Sequence, residues 1–240
     1  MDVPYALKQT NYLQMKKLII FGTGKIAEVI HYYATQDCGY EVAGFTVDEP
    51  FRLTDTFLGL PVVSFSEVEK IFPYEQYDVF VALGYHDLNK LREKKCEEVM
   101  AKGYKLISVV SPKCNLPLNV SFGYNCFIMP PCEIHPCVKI ENNVFIWSGA
   151  IVGHHSVLAS DCWLTSGCNV SGNVVIGKNS FLAINATIGH NVKIGKENFI
   201  GANTLLTKNT DEKSVFIQES TKVLRINSEQ FLKISKFSSL

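Results

Sequence analysis

Apolar residues recur every six positions between residues 116 and 206. This period fits neither the 3.6 residues of an α-helix nor the alternation of an isolated strand, but it is typical of a solenoid with short flat sides. Three hexads form one coil, so the pattern predicts a triangular parallel β-helix of about five coils. The large apolar residues are Leu116, Phe122, Ile128, Ile134, Ile140, Ile146, Val152, Leu158, Leu164, Val170, Ile176, Leu182, Ile188, Ile194, Ile200 and Leu206.

Two further positions of the hexad are also regular. A small or β-branched residue mostly stands two positions before each large one, which predicts a second inward slot. Residues that tolerate positive φ mostly stand three positions after the large ones and predict the corners. These are Asn125, Asn143, Gly149, His155, Asp161, Gly167, Asn173, Asn179, Asn185, Asn191, Asn203 and Asn209.

The cysteines follow the same pattern. Five of the eight occupy the small inward slot, which predicts core packing and not a disulfide framework: Cys114, Cys126, Cys132, Cys162 and Cys168. The other three, Cys38, Cys96 and Cys137, show no spacing typical of metal ligands, so no metal site is predicted.

The pattern changes near residue 112, which predicts two domains and a tail: residues 1–111, 112–222 and 223–240. In the first domain we predict strands at residues 17–21, 42–47, 79–83 and 106–110. Helices are predicted from residue 27 to 34 and from 88 to 102, and the tail could form a short helix on the outside of the coils. Alternating strands and helices predict a small Rossmann-like parallel sheet, so the fold class is α/β followed by all-β.

A glycine turn follows the first predicted strand. Gly22, Gly24 and Ala27 match the GxGxxA form of a dinucleotide fingerprint, and Asp48 follows the second strand. With only four predicted strands, this domain suits half a dinucleotide: a phosphate or sugar on the backbone of Gly22 to Lys25, and a ribose or base on Asp48. The alternative is a turn that only lets the helix pack closely.

Gly84 and Tyr85 end another predicted strand on the same carboxyl edge of the sheet. They are therefore a third candidate wall of the nucleotide site.

Overall charge excludes some functions. Lys plus Arg equals Asp plus Glu, at 23 each, and this balance argues against a nucleic-acid partner. No apolar run reaches the roughly 18 residues of a membrane span, and residues 1–15 lack the apolar core of a signal peptide. We therefore expect no membrane span and a cytoplasmic location.

Histidines mark a candidate catalytic column on the coils. His154, Gly172 and His190 are separated by one coil each and should stack, leaving a gap at the glycine for an acyl thioester. His154 could act as general base, and a backbone N–H near Gly172 could donate to the carbonyl oxygen. His155 is a second catalytic candidate, or it could stand at its corner only because histidine tolerates the turn. His190 is a candidate for acetyl-CoA binding, or it could be solvated. His135 lies in another column and is expected to be structural.

Lys178 and Lys196 form a second column, one coil apart. They are candidates for the phosphates of coenzyme A, with a solvated surface as the alternative.

Taken together, these residues resemble the PglD/NeuD-like sugar acetyltransferases. The resemblance covers residues 17–222 and is strongest at residues 45–49, 82–84, 149–154, 172–179 and 209–213. It implies a left-handed β-helix, a homotrimer, and acetyl-CoA bound between neighbouring subunits. It further implies that His154 is the base, that Gly172 borders the acetyl-CoA groove, and that the acidic pair Asp48 and Glu49 binds the nucleotide of a nucleotide-linked amino sugar.

Three positions depart from the pattern of that family. The glutamate that commonly follows the base is replaced by His155, and a second histidine that contacts the acetyl group corresponds to Trp163. A Gly-x-Pro-Ala-Lys loop near the coenzyme reads QESTK at residues 218–222.

The predicted function is N-acetylation of a UDP- or dTDP-linked amino deoxysugar by acetyl-CoA. The alternatives are O-acetylation of a sugar hydroxyl, as in sialic-acid-type relatives, and a non-enzymatic trimeric protein that binds sugar nucleotides. A β-helix of purely structural use is a further possibility.

Overall fold

The computed structural model describes residues 16–235. Parts of the predictions for both termini, at residues 1–15 and 236–240, lie outside this range. The N-terminal domain contains five strands and three helices. In chain order they are β1 (Lys17–Phe21), α1 (Lys25–Gln36), β2 (Val42–Val47), β3 (Thr56–Phe57), β4 (Leu60–Ser64), α2 (Val68–Ile71), β5 (Tyr77–Val81) and α3 (Lys90–Ala101).

The N-terminal sheet has the order β3-β4-β2-β1-β5. Strands β4, β2, β1 and β5 are parallel, and β3 adds an antiparallel edge. The predicted Rossmann-like α/β class is confirmed, but the prediction missed β3 and β4. No helical pattern separates these short strands from β2, so the alternation of strand and helix did not reveal them.

The fourth predicted strand, at residues 106–110, is wrong as a member of this sheet. Leu106 makes only a single bridge to Val79. The next strand, β6 (Val109–Val110), pairs with a strand of the solenoid instead. The chain therefore enters the solenoid directly after leaving the N-terminal sheet.

Seventeen short strands form the solenoid, and they lie on three faces. The face that contacts the N-terminal domain, here called the aromatic face, contains β6, β8 (Phe127–Ile128), β11 (Phe145–Ile146), β14 (Trp163–Leu164), β17 (Phe181–Leu182), β20 (Phe199–Ile200) and β22 (Val215–Phe216). The second face contains β7 (Ser121–Phe122), β10 (Lys139–Ile140), β13 (Val157–Leu158), β16 (Val175–Ile176) and β19 (Lys193–Ile194). The third contains β9 (Glu133–Ile134), β12 (Ile151–Val152), β15 (Asn169–Val170), β18 (Thr187–Ile188) and β21 (Leu205–Leu206).

The six-residue register confirms the predicted fold, a left-handed parallel β-helix. Within the repeat, each strand pairs in parallel with the strand 18 residues further along the chain, so that Ile146 lies opposite Leu164. Large and small inward residues alternate in one buried core, and the predicted corners adopt positive φ except Asn209. Cys137 and Glu197 form additional left-handed corners that the residue types did not indicate.

The aromatic face carries the contact between the two domains. Its outward positions hold a ladder of rings at 18-residue intervals, namely Phe127, Phe145, Trp163, Phe181 and Phe199. The first four are at most 5 % exposed, and they share a core with Phe80 and with α1. Burying large rings supplies most of the hydrophobic free energy of such a contact. The two domains are thus joined through a continuous core.

Arg92 of α3 is completely buried at this contact. Its guanidinium lies 4.2 Å from the ring centroid of Phe145 and 5.2 Å from that of Trp163. Nε donates to Asn143 Oδ1 at 2.8 Å, and Nη1 donates to Asn89 Oδ1 at 2.9 Å. Burial lowers the pKa of Arg92 to about 10. These amide oxygens and rings compensate the cost of removing the cation from water.

A row of corner side chains connects Arg92 to both domains. Asn125 donates to Asn143 Oδ1 at 2.7 Å, and Asn143 donates to Asp161 Oδ1 at 2.6 Å. Asn125 also bonds the N–H and C=O of Val81 at the end of β5. The corner residues that turn the coils therefore also hold the N-terminal sheet.

The C-terminal helix, α4 (Ser228–Ser235), has no buried residue. The predicted helix is present, whereas the described residues give no packing of it on the coils. None of the helices within residues 16–235 combines the length and apolar character needed to span a membrane.

Replacing Arg92 with Met tests the interdomain contact. We expect the free energy of unfolding to fall by about 2 kcal/mol or more, because Asn89 loses its charged partner and the cation–π contacts disappear. Urea denaturation followed by fluorescence would measure the change. The matched control is Lys94→Met on the exposed side of the same helix, and equal midpoints for the two variants would contradict the role given to Arg92.

Candidate functional site

His154 and His155 follow β12, where the chain turns from the third face of the β-helix. His155 adopts φ 59°, as the corner position requires, and the His155 N–H donates to Pro136 O at 3.3 Å. The two imidazoles are nearly perpendicular, at 83°, and their Nδ1 atoms lie 3.1 Å apart. The structure therefore joins the predicted base to its neighbour through a direct hydrogen bond.

His190 lies above the same position, as the column of His154, Gly172 and His190 predicted. Its ring centroid is 6.3 Å from that of His154, less than the separation of two coils at about 4.8 Å each. The His154 ring leans over Gly172, where an added Cβ would lie 2.7 Å from Cε1 and Nε2. The gap predicted for a thioester is thus filled by the imidazole of His154, and glycine is required there to admit that ring.

The backbone around Gly172 is also closely packed from below. A Cβ on Gly153 would lie 2.4 Å from the Gly172 nitrogen, so glycine at position 153 lets the two coils approach. In the described part of the chain, the Gly172 N–H donates no hydrogen bond to another protein group. It is available as a donor beside the His154 ring.

All three histidines are exposed on the ridge of one protomer. The His154 side chain therefore lies on an open surface, with Cε1 and Nε2 close to Gly172. A second wall would have to come from the ligand or from another molecule.

The glycine turn of the N-terminal domain has two parts with different requirements. Gly22 has φ 121°, and a Cβ there would lie 3.0 Å from Ala82 O, so this glycine is required by its left-handed backbone and by the close approach of the chain that follows β5. Gly24 is the N-cap of α1 without a side-chain cap, and a Cβ there would meet nothing within 4 Å. Lys25 is exposed at the first turn. Packing thus explains Gly22, whereas the space above Gly24 is free for a ligand.

Asp48 follows β2 at the same edge of the sheet. Its Oδ1 accepts a hydrogen bond at 2.9 Å from Nζ of Lys95, whose side chain is 7 % exposed. Burial acts to lower the pKa of Lys95, but hydrogen bonds to Glu98 and Asp48 outweigh it and the pKa is raised. The Asp48 carboxylate is therefore held in place by a buried cation.

Glu49 lines an open cavity of about 350 Å³ next to Asp48. The cavity is also lined by Arg52, Ser64 and Glu67. Charged groups of both signs and a hydroxyl could bind a polar molecule of modest size. Of the acidic pair predicted for the nucleotide, Glu49 thus lines this depression and Asp48 precedes it in the chain.

Gly84 and Tyr85 lie where the N-terminal domain meets the aromatic face. The Tyr85 ring is 54 % exposed, yet it lies 4.6 Å from the ring of Phe181 and 5.4 Å from that of Trp163. The Gly84 carbonyl is 3.5 Å from Nη1 of Arg92. One side of Tyr85 is therefore fixed by packing while the rest of the ring is open to solvent.

Comparison with known proteins relates both domains to known families. Residues 17–99 match the model of the PglD N-terminal domain, and residues 173–208 match that of the bacterial transferase hexapeptide with six repeats. The two models match in the order of the two domains described above. Both domains therefore match known family models, in the combination that the resemblance to the PglD/NeuD-like sugar acetyltransferases implies.

Solved structures share the complete fold of this PglD/NeuD-like chain. The acetyltransferase domain of PglB from Neisseria gonorrhoeae, in complex with acetyl coenzyme A, is 21 % identical with a TM-score of 0.75 and covers 87 % of this chain and 99 % of its own. A variant of perosamine N-acetyltransferase from Caulobacter crescentus, in complex with CoA and GDP-perosamine, is 24 % identical with a TM-score of 0.61 over 88 % and 97 % of the two chains. WeeI from Acinetobacter baumannii is 17 % identical with a TM-score of 0.59 over 88 % and 100 %. A search of curated protein sequences gives no match.

The resemblance to the family places Trp163 near the acetyl group, but Trp163 is 2 % exposed and lies under the N-terminal domain, so its position speaks against a place in the acetyl-CoA groove. The lysine column predicted for the coenzyme phosphates lies on the surface, where Lys178 pairs with Glu93 and Lys196 pairs with Glu212. A phosphate would have to compete with these exposed carboxylates. Outward side chains at 18-residue spacing signal interdomain packing as readily as ligand binding, and the sequence alone does not separate the two.

Sequence reasoning also missed Lys95, which holds Asp48. Its signal was the buried side of α3, where Arg92, Lys95, Cys96 and Val99 recur at helical spacing. A cation on the apolar side of a helix indicates a buried anion or ring as partner. Among residues 16–235 no group of three or more His, Cys, Asp or Glu side chains could hold a metal ion.

Replacing Gly172 with Ala tests the placement of the His154 ring. The added Cβ would lie 2.7 Å from the ring, and ordinary contact begins at 3.4 Å, so we expect the imidazole to move by about 0.7 Å or more. A crystal structure of the variant would measure the displacement. The exposed neighbouring change Ser171→Ala is the control and should leave the ring in place, whereas an unmoved ring in Gly172→Ala would contradict this packing.

Proposed function

We propose that this protein is an acetyl-CoA-dependent N-acetyltransferase that acts on the amino group of a nucleotide-linked sugar. The observation that carries the proposal is the exposed His154 imidazole, which leans over Gly172 and is hydrogen-bonded to His155. The matches of both domains to the family models support it, as do the acetyl coenzyme A and GDP-perosamine bound to proteins of the same fold.

In the proposed reaction, His154 takes a proton from the attacking amine. The amine nitrogen forms a bond to the thioester carbonyl carbon, and the proton passes to Nε2 of His154. The carbon–sulfur bond then breaks, and the departing CoA thiolate recovers the proton from the imidazolium. An amide and free CoA are the products, and the steps require no covalent enzyme intermediate.

The free N–H of Gly172 is proposed to stabilise the carbonyl oxygen as it gains negative charge. A backbone donor fixed between two coils needs no reorganisation during the reaction, which makes such a donor effective. Because the three histidines lie on an open ridge, the other wall of the acetyl-CoA groove would come from a second copy of the chain. The proposed assembly is therefore a homotrimer.

The N-terminal domain is proposed to hold the nucleotide. Gly24 leaves room for a phosphate or sugar at the start of α1, where the helix dipole and free N–H groups favour an anion. The fixed carboxylate of Asp48 would accept a hydrogen bond from a base or ribose, with Glu49 next to it in the chain. The nucleotide and the deoxysugar that suit this site are proposed to be those of a UDP- or dTDP-linked amino sugar.

Replacing His154 with Ala tests the proposed base. We expect kcat to fall by at least about 10²-fold, since general base catalysis usually contributes that much, while KM for acetyl-CoA changes little. Release of CoA thiol and mass spectrometry of the sugar nucleotide would measure turnover. His135→Ala, in another column of the coils, is the matched control and should retain the rate.

A panel of acceptors separates this function from its alternatives. A UDP- or dTDP-linked amino sugar should be acetylated and the free amino sugar should not, and a preference for a GDP-linked amino sugar would contradict the proposed nucleotide. Transfer only to sugar hydroxyls would favour O-acetylation, and the absence of both turnover and CoA binding in calorimetry would favour a non-enzymatic binding protein. An unchanged rate in His154→Ala would remove this residue from the mechanism.

Replacing Asp48 with Asn tests the nucleotide site. We expect the affinity for the nucleotide diphosphate to fall about tenfold, because a charge-assisted hydrogen bond becomes a neutral one and Lys95 keeps only Glu98 as its ion-pair partner. Calorimetric titration with the free nucleotide would measure the change without any need for turnover. Glu97→Gln, which removes an exposed carboxylate from α3 of the same domain, should leave the affinity unchanged.

A further inference from the structure

We propose that His155 is the positioning residue of the catalytic base and that it accepts, at Nδ1, a hydrogen bond donated by the Nδ1–H of His154. The inference rests on the proposed function, because it concerns the nitrogen that takes the proton of the substrate. It assigns a neutral imidazole to the place where the family commonly has a carboxylate.

The distance between the Nδ1 atoms of His154 and His155 determines which ring nitrogens carry protons. Two imidazole nitrogens 3.1 Å apart form a hydrogen bond only when one carries a proton and the other a lone pair. Because Nδ1 of His154 is engaged with His155, only Nε2 of His154 remains for the substrate. A free lone pair on Nε2 requires the proton of neutral His154 to be on Nδ1. His155 must then be the acceptor, with its own proton on Nε2.

The backbone fixes both members of the pair. His155 occupies a left-handed corner and donates its N–H to Pro136 O in the coil below. In the coil above, the Asn173 N–H donates to His154 O at 2.8 Å. A corner requires only positive φ, which Asn, Gly and Asp supply elsewhere in this β-helix. The imidazole at position 155 therefore adds a ring nitrogen that the corner itself does not need.

A neutral partner has a consequence for the charge of the site. When His154 gains the substrate proton, its Nδ1–H continues to donate to neutral His155, and the pair carries one positive charge. If His155 carried a proton on Nδ1, this N–H would face the Nδ1–H of His154. His154 would then have to move its proton to Nε2, and the base would lose the lone pair that accepts the substrate proton. A carboxylate at position 155 would stabilise the imidazolium, so protonation from solvent would inactivate that variant at higher pH.

The other titratable groups near the histidine pair are the same in the unmodified protein and in all variants at position 155. By the 18-residue register, Cys137 lies one coil below His155, His135 lies beside that column, and His190 and then Lys208 lie above Gly172. Differences among variants at position 155 therefore report the partner of His154 and not these neighbours.

Three substitutions test the role of His155, and each introduces a residue type that already forms corners in this β-helix. His155→Asn places an amide oxygen where Nδ1 stood, and we expect kcat to stay within about threefold. His155→Gly keeps the corner but removes the acceptor, and kcat should fall about 10- to 100-fold with little change in KM, by analogy with groups that orient a metal-bound histidine. His155→Asp should remain active, with the acid side of its pH–rate profile moved to higher pH by about 0.5 to 1 unit.

Nitrogen-15 NMR of the histidine rings gives a readout that does not depend on turnover. In the unmodified protein we expect His154, assigned by its loss in His154→Gln, to show the Nδ1–H tautomer. This tautomer should persist in His155→Asn and change to Nε2–H in His155→Gly.

The outcomes separate this inference from the proposed function. Wild-type activity in His155→Gly, equal losses in the Asn and Gly variants, or an Nε2–H tautomer of His154 in the unmodified protein would each overturn the inference while acetyl transfer stands. Absence of acetyl transfer in the unmodified protein would overturn the proposed function, and the NMR result would still show whether the hydrogen bond exists.

Discussion

The stacking of one coil on the next at an interval of 18 residues is the constraint on which this structure depends. It requires left-handed backbone at the corners, and it places every side chain directly above its counterpart. A column of side chains is consequently a physical unit. One column becomes a core of apolar residues, another a row of amides, and another a pair of histidines separated by a glycine. The candidate active site and the interdomain contact are both products of the same geometric rule.

The same rule explains why polar and charged groups are tolerated inside the protein. Asn143 accepts hydrogen bonds from the Asn125 amide one coil below and from the Arg92 guanidinium, and it donates one to the Asp161 carboxylate one coil above. This is possible because the three corner residues stack in one column beside Arg92. Arg92 in turn lies against rings that repeat with the coils. An isolated buried arginine would be strongly destabilising, but here the repeat supplies acceptors and aromatic faces together. The N-terminal domain is thus held in one orientation by polar contacts inside an apolar interface.

Sequence reasoning succeeded where the signal was periodic and failed where it depended on which neighbour covers a face. Strand β2, the inward residues and nearly all corners followed from residue type and spacing. The aromatic ladder has the same spacing, but whether Trp163 faces a ligand, solvent or another domain is decided by the position of α1 and β5. The hydrogen bond between His154 and His155 was equally hidden, because adjacent positions in sequence do not reveal that a corner turns two rings towards each other. Lys95 was missed because a lysine on a helix is ordinarily solvated.

The extent of the aromatic ladder has an implication for how this architecture can change in length. Phe127, Phe145, Trp163 and Phe181 lie beneath the N-terminal domain, one per coil, and the rings that rest on them are fixed in spacing. Adding or deleting a coil within this footprint would misalign the whole contact, even though the solenoid itself would close again perfectly. The coils after Phe199 carry no ring of this ladder, so their number does not affect the contact with the N-terminal domain. Growth or loss of coils is therefore compatible with an intact two-domain protein only at the C-terminal end of the prism.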